Sequence, residues 1–425
     1  VSTGNITLDN RGPRAASGMP ESKGLGDFAF PVQAGIFAIN AGMGSVNVVS
    51  KGDIVTAGDS RTGIFADSGG FGVDETVNVN STGNISTKGR ASFGIFGSSL
   101  YSDVSIDSKG DITTRGAFAD GINGQSQIGG KVNITSNGNI DATGDGAFGI
   151  FAAGYNNLSI TILGGSVSGG SGDGSSVGFF AGDQNTLVNR GTITAGKSGW
   201  AVEGDTLGSD TIENFGTISG NVEMNLEPSE DWSGFQVTKV AQPIVTTDAF
   251  NNRAGATFNS GEFVELGNAG LLRNEGTLNP GGAGVVAETY LDGRLQQTRT
   301  GVLGIDIDGQ LADYIEIEPA TSTSLPLVVL AGKVVPNIVS FDTSSARQKF
   351  EIVWTSGEVV NNGLTVADTA LVDYELLFPF SNNVVLSMEV DFNISGLTPN
   401  QGALLSYLGR LIGSDGAQQF EDIFL

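Results

Sequence analysis

Short runs of alternating apolar and polar residues recur along the first half of the chain at a spacing of about 28 residues. One phrase is a glycine followed by mostly apolar residues, typically Ile-Phe-Ala, and its copies begin at Gly35, Gly63, Gly94, Gly121, Gly149 and Gly178. A second pairs glycine with Asp, Asn or Thr and then Ile, beginning at Gly52, Gly83, Gly110, Gly138, Gly191 and Gly216. A third alternates β-branched residues from Val46, Val77, Val104, Val132 and Leu158. Each repeat therefore predicts three short strands separated by turns.

Three strands per repeat predict an all-β fold, a right-handed parallel β-helix of about ten coils over residues 1–287. In such a fold, like side chains of successive coils stack on one another inside the molecule. One predicted core column is Ile36, Ile64, Ile95, Ile122, Ile150 and Phe179. Another is Ile54, Ile85, Ile112, Ile140, Ile193 and Ile218.

The repeat pattern loosens toward the C-terminus. Residues 225–250 indicate an insertion or an irregular coil. From Glu288 glycine becomes rarer and longer alternating runs appear, which predicts a separate antiparallel or mixed β module over 288–391 that caps the open strand edges. Within 392–425, Thr398 and Pro399 suit the start of a helix, and the leucines that follow at helical spacing predict a short amphipathic helix.

Composition narrows the chemistry. The chain has 21 Lys and Arg against 46 Asp and Glu, for a net charge of -25, so phosphate backbones are repelled and nucleic acid is not an expected partner. It has no cysteine and no histidine, which excludes disulfides, Ser-His-Asp triads and Cys or His metal sites. We therefore expect no catalytic residue, no cofactor and no metal site, and a protein that is not an enzyme.

The C-terminal phrases resemble those of a known family. They are Asn274–Gly282, Leu291-Asp292-Gly293, Gly301–Asp308, Asp313-Tyr314-Ile315 and Leu397–Gln401, in this order. Together with the repeats, they are similar to the passenger domains of monomeric (type Va) autotransporters, the group that includes pertactin-like and self-associating adhesins. In that family the first four phrases lie where the last β-helix coil meets an autochaperone module, and the fifth lies near the linker into the translocator.

The resemblance implies a route and a location. A passenger of this kind is exported to the periplasm, crosses the outer membrane unfolded through its own translocator barrel, and folds outside from the C-terminal module. The implied location is the cell surface or the exterior of a Gram-negative bacterium. The lack of cysteine fits, because a disulfide formed in the periplasm would obstruct threading. Two-partner secretion also exports β-helices, but its N-terminal module is not apparent in residues 1–50.

Two motifs could carry chemistry. Gly69-Gly70-Phe71-Gly72-Val73-Asp74 matches the start of a calcium-binding nonapeptide repeat, but such sites need tandem copies and one is present, so a β-helix loop is favoured. Asp53 and Asp111 lie two coils apart, a predicted separation of about 9.6 Å, near the range for inverting glycosidases. The coil between them carries Asn84 at this position, and the coil after Asp111 carries Asn139. A turn-forming role is therefore favoured.

Five phenylalanines form the remaining candidate site, a contact stripe of Phe37, Phe65, Phe96, Phe151 and Phe180. If the preceding residue in each strand points inward, strand alternation sends these rings outward. An exposed apolar stripe usually marks a contact surface for a protein, a glycan or a neighbouring copy. Burial of these rings, through a bend of the strand or under a loop, is the alternative and the more common outcome. Solvent exposure of Phe65 and Phe96 decides between the two.

Three functions follow from these patterns. The first is a non-enzymatic surface protein that acts in adhesion or presentation, with a protein or glycan on a host or neighbouring cell as its partner. The second is homotypic self-association, which the net charge opposes at low salt. The third is a polysaccharide-acting enzyme on a β-helix, which would need a groove with clustered acidic and basic residues. The fold is compatible with all three.

Overall fold

The computed structural model of the chain describes residues 2–4, 6–8, 33–69, 75–226, 247–319, 327–392 and 396–414. These residues form a right-handed parallel β-helix of about 11 turns and one short C-terminal helix. The predicted fold class is therefore confirmed. The chain divides into two compact units, Val1–Asp248 and Ala249–Leu425. No helix in the described ranges is long and apolar enough to cross a membrane.

Each coil of the first unit adds one strand to each of three parallel sheets, which we call the first, second and third walls. The first wall consists of Ser2–Thr3, Val46–Lys51, Thr76–Thr82, Asp103–Lys109, Val132–Asn137, Leu158–Gly164, Gln184–Asn189 and Ser209–Asn214. The second wall consists of Ile6–Leu8, Ile54–Ala57, Ile85–Lys88, Ile112–Arg115, Ile140–Ala142, Ser166–Ser168, Thr192–Thr194 and Thr217–Leu226, of which the last bends into the third wall. The third wall consists of Gln33–Asn40, Arg61–Ser68, Ile95–Ser99, Ile122–Ser126, Ile150–Gly154, Val177–Phe180 and Trp200–Asp205.

The inward side chains of the second wall form the predicted isoleucine column. Its members stack in register and are at most 1% exposed: Ile54, Ile85, Ile112, Ile140, Val167, Ile193 and Ile218. Val167 fills the one coil that lacks the Gly-X-Ile phrase. Removing each of these side chains from water stabilises the coil by roughly 1.5–3 kcal/mol.

The column of the third wall differs from the prediction at two positions. Ile64, Ile95, Ile122 and Ile150 are fully buried and stacked, while Ile36 is half-buried. The next member is Val177 and not Phe179, which pairs with Ala152. The prediction for Phe179 was wrong by two residues, a shift that keeps the same faces inward and outward.

A column of glycines joins the first wall to the second. Gly52, Gly83, Gly110 and Gly138 all have positive φ angles, from 109° to 152°. A Cβ atom on Gly83 would lie 2.4 Å from the carbonyl oxygen of Gly52 in the coil before. Only glycine combines this φ with so close an approach between turns. The repeated glycine of the second sequence phrase therefore sets the stacking distance of the turns.

Buried amides hold the later turns in place. In the first unit, Asn189 Nδ2 donates to Asn214 Oδ1 at 2.9 Å and to the carbonyl oxygen of Thr217 at 3.0 Å. In the second unit, Asn252 donates to Asn274 at 2.9 Å, and Asn274 donates to Gln297 at 3.1 Å. Each of these side-chain amides thus donates a hydrogen bond to the amide oxygen of a similar side chain in the next coil. The buried polar groups therefore hold the coils in register without leaving a donor unpaired.

The second unit continues parallel pairing before it changes direction. Its parallel strands are Ala249–Asn252, Thr257–Glu265, Leu271–Asn274, Thr277–Pro280, Glu288–Asp292, Arg294–Gln297, Val302–Gly309, Tyr314–Ile317, Val328–Phe341 and Val359–Val366. Leu311–Ala312 folds back on Val302–Gly309. Arg347–Thr355 pairs in parallel with Tyr314–Ile317 on one side and antiparallel with Asn383–Val390 on the other, and Val372–Leu377 completes this antiparallel sheet.

The helix spans Pro399–Leu411. Thr398 is its N-cap and forms a capping box with Gln401, as the Thr-Pro start predicts. The expected boundary between 287 and 288 falls inside the second unit, where parallel pairing crosses it, and the separate module over 288–391 stays a prediction. Of the expected irregular segment 225–250, residues 227–246 lie outside the described ranges.

Replacing Gly83 by alanine should lower the free energy of unfolding by at least about 2 kcal/mol, because it adds overlap with the Gly52 carbonyl to an unfavourable φ. Gly255→Ala is the matched control, since its φ is +83° but no atom lies within 4 Å of the added Cβ. The control should lose only about 1 kcal/mol. Urea unfolding followed by circular dichroism measures both, and equal losses would contradict the stacking explanation.

Candidate functional site

The outward-facing positions of the third wall form one column that changes character along its length. In register, it reads Phe37, Phe65, Phe96, Asn123, Phe151, Gly178, Glu203 and Glu223. Three of the phenylalanines come first, an amide interrupts them, and carboxylates end the column. Phe180 lies outside this column, because it pairs with Ala153, so the predicted contact residues do not form one row of five rings.

The first three rings form what we call the aromatic stripe: Phe37, Phe65 and Phe96. Phe37 is 44% exposed and the other two are half-buried, whereas Ile64 and Ile95 in the same strands are fully buried. The ring centroids are 5.2 Å apart from Phe37 to Phe65 and 5.1 Å from Phe65 to Phe96, with interplanar angles of 16° and 10°. Both faces of Phe65 are thus covered by its neighbours, so the stripe presents ring edges to solvent.

Asn123 ends the aromatic stripe. It is 1% exposed, and its Nδ2 donates to Asp120 Oδ2 at 2.6 Å, while its Oδ1 accepts from Gln125 at 2.9 Å. Asp120 also accepts from the backbone N–H of Phe148 at 2.9 Å. Burial raises the pKa of Asp120 to about 6, although these hydrogen bonds oppose the shift. The network ties the outer face of this coil to the loop of the next.

Phe151 and Phe180 do not belong to the exposed surface. Both are fully buried, in a cluster with Phe148, Ala153, Ala181 and Leu207. Their ring centroids are 5.4 Å apart, and Phe148 packs edge-on against each of them. Gly178 makes this possible, because a Cβ there would lie 2.7 Å from ring atoms of both Phe148 and Phe180. Of the five predicted rings, Phe37 is thus exposed, Phe65 and Phe96 are half-buried and the last two are buried, and contact with a partner stays a prediction.

Asp53 and Asp111 lie in the turn between the first and second walls. Asp53 Oδ1 accepts the backbone N–H of Asn84 at 2.8 Å, and Asn84 Oδ1 accepts that of Asp111 at 2.9 Å. Asp111 Oδ1 in turn accepts the N–H of Asn139 at 2.8 Å. Asp and Asn thus serve one structural purpose here, which favours the turn-forming role over acid catalysis.

The glycine-rich calcium motif cannot be placed, because Gly70 to Asp74 lie outside the described residues. In the ranges that the structure describes, no group of three or more Asp or Glu side chains is arranged to hold a metal ion.

Inside the first unit lies a group of carboxylates that the sequence patterns did not reveal, which we call the acid stack: Asp205, Asp210 and Asp248. Asp210 pairs in register with Asn185, at the inward position that Val132 and Leu158 occupy in earlier coils. Asn185 donates to Asp210 Oδ1 at 2.8 Å, and the backbone N–H of Asp210 donates to Asp248 Oδ1 at 2.8 Å.

Burial dominates the electrostatics of the acid stack. It raises the pKa of Asp210 well above the ordinary value, and the carboxylates of Asp248 and Asp205 add to this shift. Burial likewise raises the pKa of Asp248 to about 7, with a further contribution from Asp205. Among the described residues, Oδ2 of Asp210 and Oδ2 of Asp248 have no hydrogen-bond partner. All three carboxylates are at most 2% exposed, so they affect stability and cannot meet a substrate.

Glu203 and Glu223 stack at the end of the outer column. Strands of adjacent coils are about 4.8 Å apart, close to the carboxylate spacing of about 5–5.5 Å in retaining glycosidases. Burial, with Glu223 and Asp173 nearby, raises the pKa of Glu203 to about 8. However, Glu203 is only 7% exposed, so it cannot reach a glycosidic oxygen in this conformation. The pair therefore gives the enzymatic hypothesis no usable acid.

Alanine substitutions separate the two groups of rings. Phe151→Ala should lower the free energy of unfolding by roughly 3–5 kcal/mol, because it leaves a cavity in a fully packed cluster. Phe37→Ala should cost less than about 1 kcal/mol, since the ring is exposed and loses one stacking contact. Chemical denaturation measures both. A small loss at Phe151 would show that the outer cluster is not packed as described.

The acid stack predicts a pH-dependent stability. The pKa of Asp248 is about 7 in the folded chain and returns to its ordinary value of 3.8 on unfolding, so stability falls as pH rises through this window. Asp248→Asn should therefore stabilise the chain more at pH 8 than at pH 5, by on the order of 2 kcal/mol.

Asp111→Asn removes the same charge at an exposed turn and serves as the control. It should change the urea midpoint little, because Asp111 is exposed and the neighbouring coils already carry Asn at this place. A wild-type-like pH dependence in Asp248→Asn would contradict the burial explanation.

The aromatic stripe, the buried rings and the acid stack have to be interpreted from their own geometry. A scan of the chain against protein-family models found no match, and a search of curated proteins found none either.

Proposed function

We propose that the chain is a non-enzymatic adhesion or presentation protein displayed on the surface of a Gram-negative bacterium, the passenger of an autotransporter. The observation that carries the proposal is the aromatic stripe. Three stacked, outward-facing phenylalanines are costly to leave in water, and a row of them on a rigid sheet is a typical contact surface. The chain also lacks the cysteine and histidine that most nucleophilic sites require.

The stripe favours a protein partner. A sugar ring stacks on an exposed aromatic face, but the rings of the stripe cover one another and offer edges. Apolar side chains of another protein can pack against such edges. Ile39, which is 51% exposed in the same strand as Phe37, extends the apolar surface sideways.

The secretion route is proposed from the C-terminal half. The first four phrases that resemble autotransporter passengers fall on parallel coils, the strands that follow turn antiparallel, and the fifth phrase begins the C-terminal helix. Antiparallel strands after a parallel stack would shield its open edge, as a cap or an autochaperone must. In a passenger that crosses the outer membrane through a translocator barrel, this antiparallel sheet would then be the first part of the chain to fold.

Self-association is the second candidate, and one observation favours it. The central outward column of the first wall is uncharged through seven successive coils: Asn47, Asn78, Ser105, Asn133, Ser159, Thr186 and Thr211. In a chain of net charge -25, such a column lets two copies approach without direct repulsion. Their amides and hydroxyls could then hydrogen-bond across the contact.

Binding to cells tests the proposal. Fluorescently labelled protein is incubated with a panel of cultured animal cells and of Gram-negative bacteria, and retention is measured after washing. Wild type should be retained on at least one surface. Phe37→Thr/Phe65→Thr, which keeps strand-forming residues but removes one exposed and one half-buried ring of the aromatic stripe, should lower retention by about tenfold or more.

Phe378→Thr/Phe380→Thr is the matched control, because it removes two exposed rings elsewhere and should retain wild-type binding. The adhesion proposal fails if wild type binds no surface or if both double variants bind equally. Light scattering in parallel, over a series of salt concentrations, detects self-association. Growth of scattering with salt, unaffected by the loss of Phe37 and Phe65, would favour the second candidate.

A further inference from the structure

An open cleft of about 490 Å³ lies on the second unit, where the turn at Arg299–Gly301 stacks on residues of two later strands, Val328–Phe341 and Val359–Val366. Its lining includes Arg299, Thr300, Lys333, Asn362 and Thr365, together with three glycines. The turns are fixed to one another, because the backbone N–H of Lys333 donates to the Gly301 carbonyl at 3.1 Å and the Thr365 hydroxyl donates to the Gly332 carbonyl at 3.0 Å. The lining positions are therefore set by the coil stacking.

The charge of this cleft is opposite to that of the chain. Acidic residues outnumber basic ones 46 to 21, yet the lining holds two cations and no carboxylate. Within the described ranges, neither Arg299 nor Lys333 forms a salt bridge. Glu275, whose carbonyl accepts the Thr300 hydroxyl, directs its own carboxylate to Arg273 and Arg253, at 2.8 and 3.6 Å. The lining itself thus carries two positive charges and no negative charge.

The uncharged groups of the lining suit hydroxyl-bearing ligands. The Thr365 hydroxyl has committed its proton to the Gly332 carbonyl, and its oxygen is left to accept a hydrogen bond. Asn362 is exposed and offers both a donor and an acceptor. A bare inorganic anion would use the cations and leave the acceptor oxygens idle, whereas a sugar with an acidic group would use both.

We propose that this cleft binds an anionic saccharide, a sugar that carries a carboxylate or a sulfate group. Arg299 and Lys333 take the acidic group, and Thr365 and Asn362 take the sugar hydroxyls. The cleft volume lies within the roughly 300–1,000 Å³ of small-ligand sites. The inference rests on the proposed adhesive function and adds a ligand class to it, at a surface distinct from the aromatic stripe.

Isothermal titration calorimetry on the whole chain tests this proposal with four probes at 0.15 M salt, a value at which screening is known. They are glucuronic acid, glucose 6-sulfate, glucose and inorganic sulfate. We expect at least one of the two anionic sugars to bind with a millimolar dissociation constant, and glucose and inorganic sulfate to bind at least about tenfold more weakly. Equal binding of glucose, equal binding of inorganic sulfate, or no binding of either anionic sugar would overturn the proposal.

Variants locate the binding. Arg299→Gln/Lys333→Gln should weaken anionic sugar binding by about tenfold or more. Lys131→Gln/Lys349→Gln, which removes two positive charges from exposed positions elsewhere, should leave it unchanged. Thr365→Val should weaken binding of the sugar severalfold but not of sulfate. Equal losses in both double variants would show a general charge effect and overturn the assignment.

The outcome is separable from that of the proposed function. Phe37→Thr/Phe65→Thr should bind the anionic sugars as wild type does, because its changes lie in the other unit. Loss of cell retention without loss of sugar binding would leave the cleft assignment standing. Retention by cells without sugar binding would overturn the cleft assignment while leaving adhesion intact.

Discussion

Hydrogen bonding between successive coils, with like residues stacked in register, is the interaction on which the rest of this structure depends. Each strand of the first unit forms its backbone hydrogen bonds with strands of the coils before and after it. A single coil therefore cannot pair its own backbone N–H and C=O groups. The isoleucine column of the second wall and the glycine column of the adjoining turn follow from this arrangement. A side chain that suits one coil suits the next, because it meets a nearly identical neighbour.

The same constraint explains why departures from the repeat are informative. Asp210 occupies a place in the first wall that earlier coils give to Val132 and Leu158, and its burial is compensated only in part by Asn185. The outer column of the third wall departs in the opposite sense, because Phe37 and Phe65 place apolar rings where water can reach them. Local stability favours neither the buried carboxylate inside the first wall nor the phenylalanine rings on the outer face of the third wall.

The repeat period of the sequence made the three walls predictable, whereas features that do not repeat with this period were missed. The Ile54 and Ile64 columns followed directly from repeated phrases, and the helix start at Thr398 and Pro399 from local residue preference. Phe179 was assigned to the wrong place because Gly-Phe-Phe-Ala looks like Gly-Ile-Phe-Ala, whereas Val177 continues the column. The division of the phenylalanines was equally hidden, since Phe148 and Leu207, which bury Phe151 and Phe180, lie outside the repeated phrase.

The acid stack and the cationic cleft could not be found in this way. Composition reports an acidic chain, but not that Arg299 and Lys333 meet in adjacent turns or that Asp205, Asp210 and Asp248 face one another. Careful alignment of Asp210 with Val132 and Leu158 could have signalled an inward carboxylate. No comparable signal exists for the cleft, because its lining residues come from three segments that share no repeated phrase.

The glycine turns of the first unit have a mechanical consequence. The hydrogen bonds that join Gly83 and its neighbours to the adjoining coils point along the direction of stacking. A tension applied along that direction would therefore load one layer at a time and peel the outermost winding, while a sideways pull would have to shear many bonds together. A protein anchored at one end and dragged by flow would lose its windings sequentially, dissipating force in small steps before any sudden rupture.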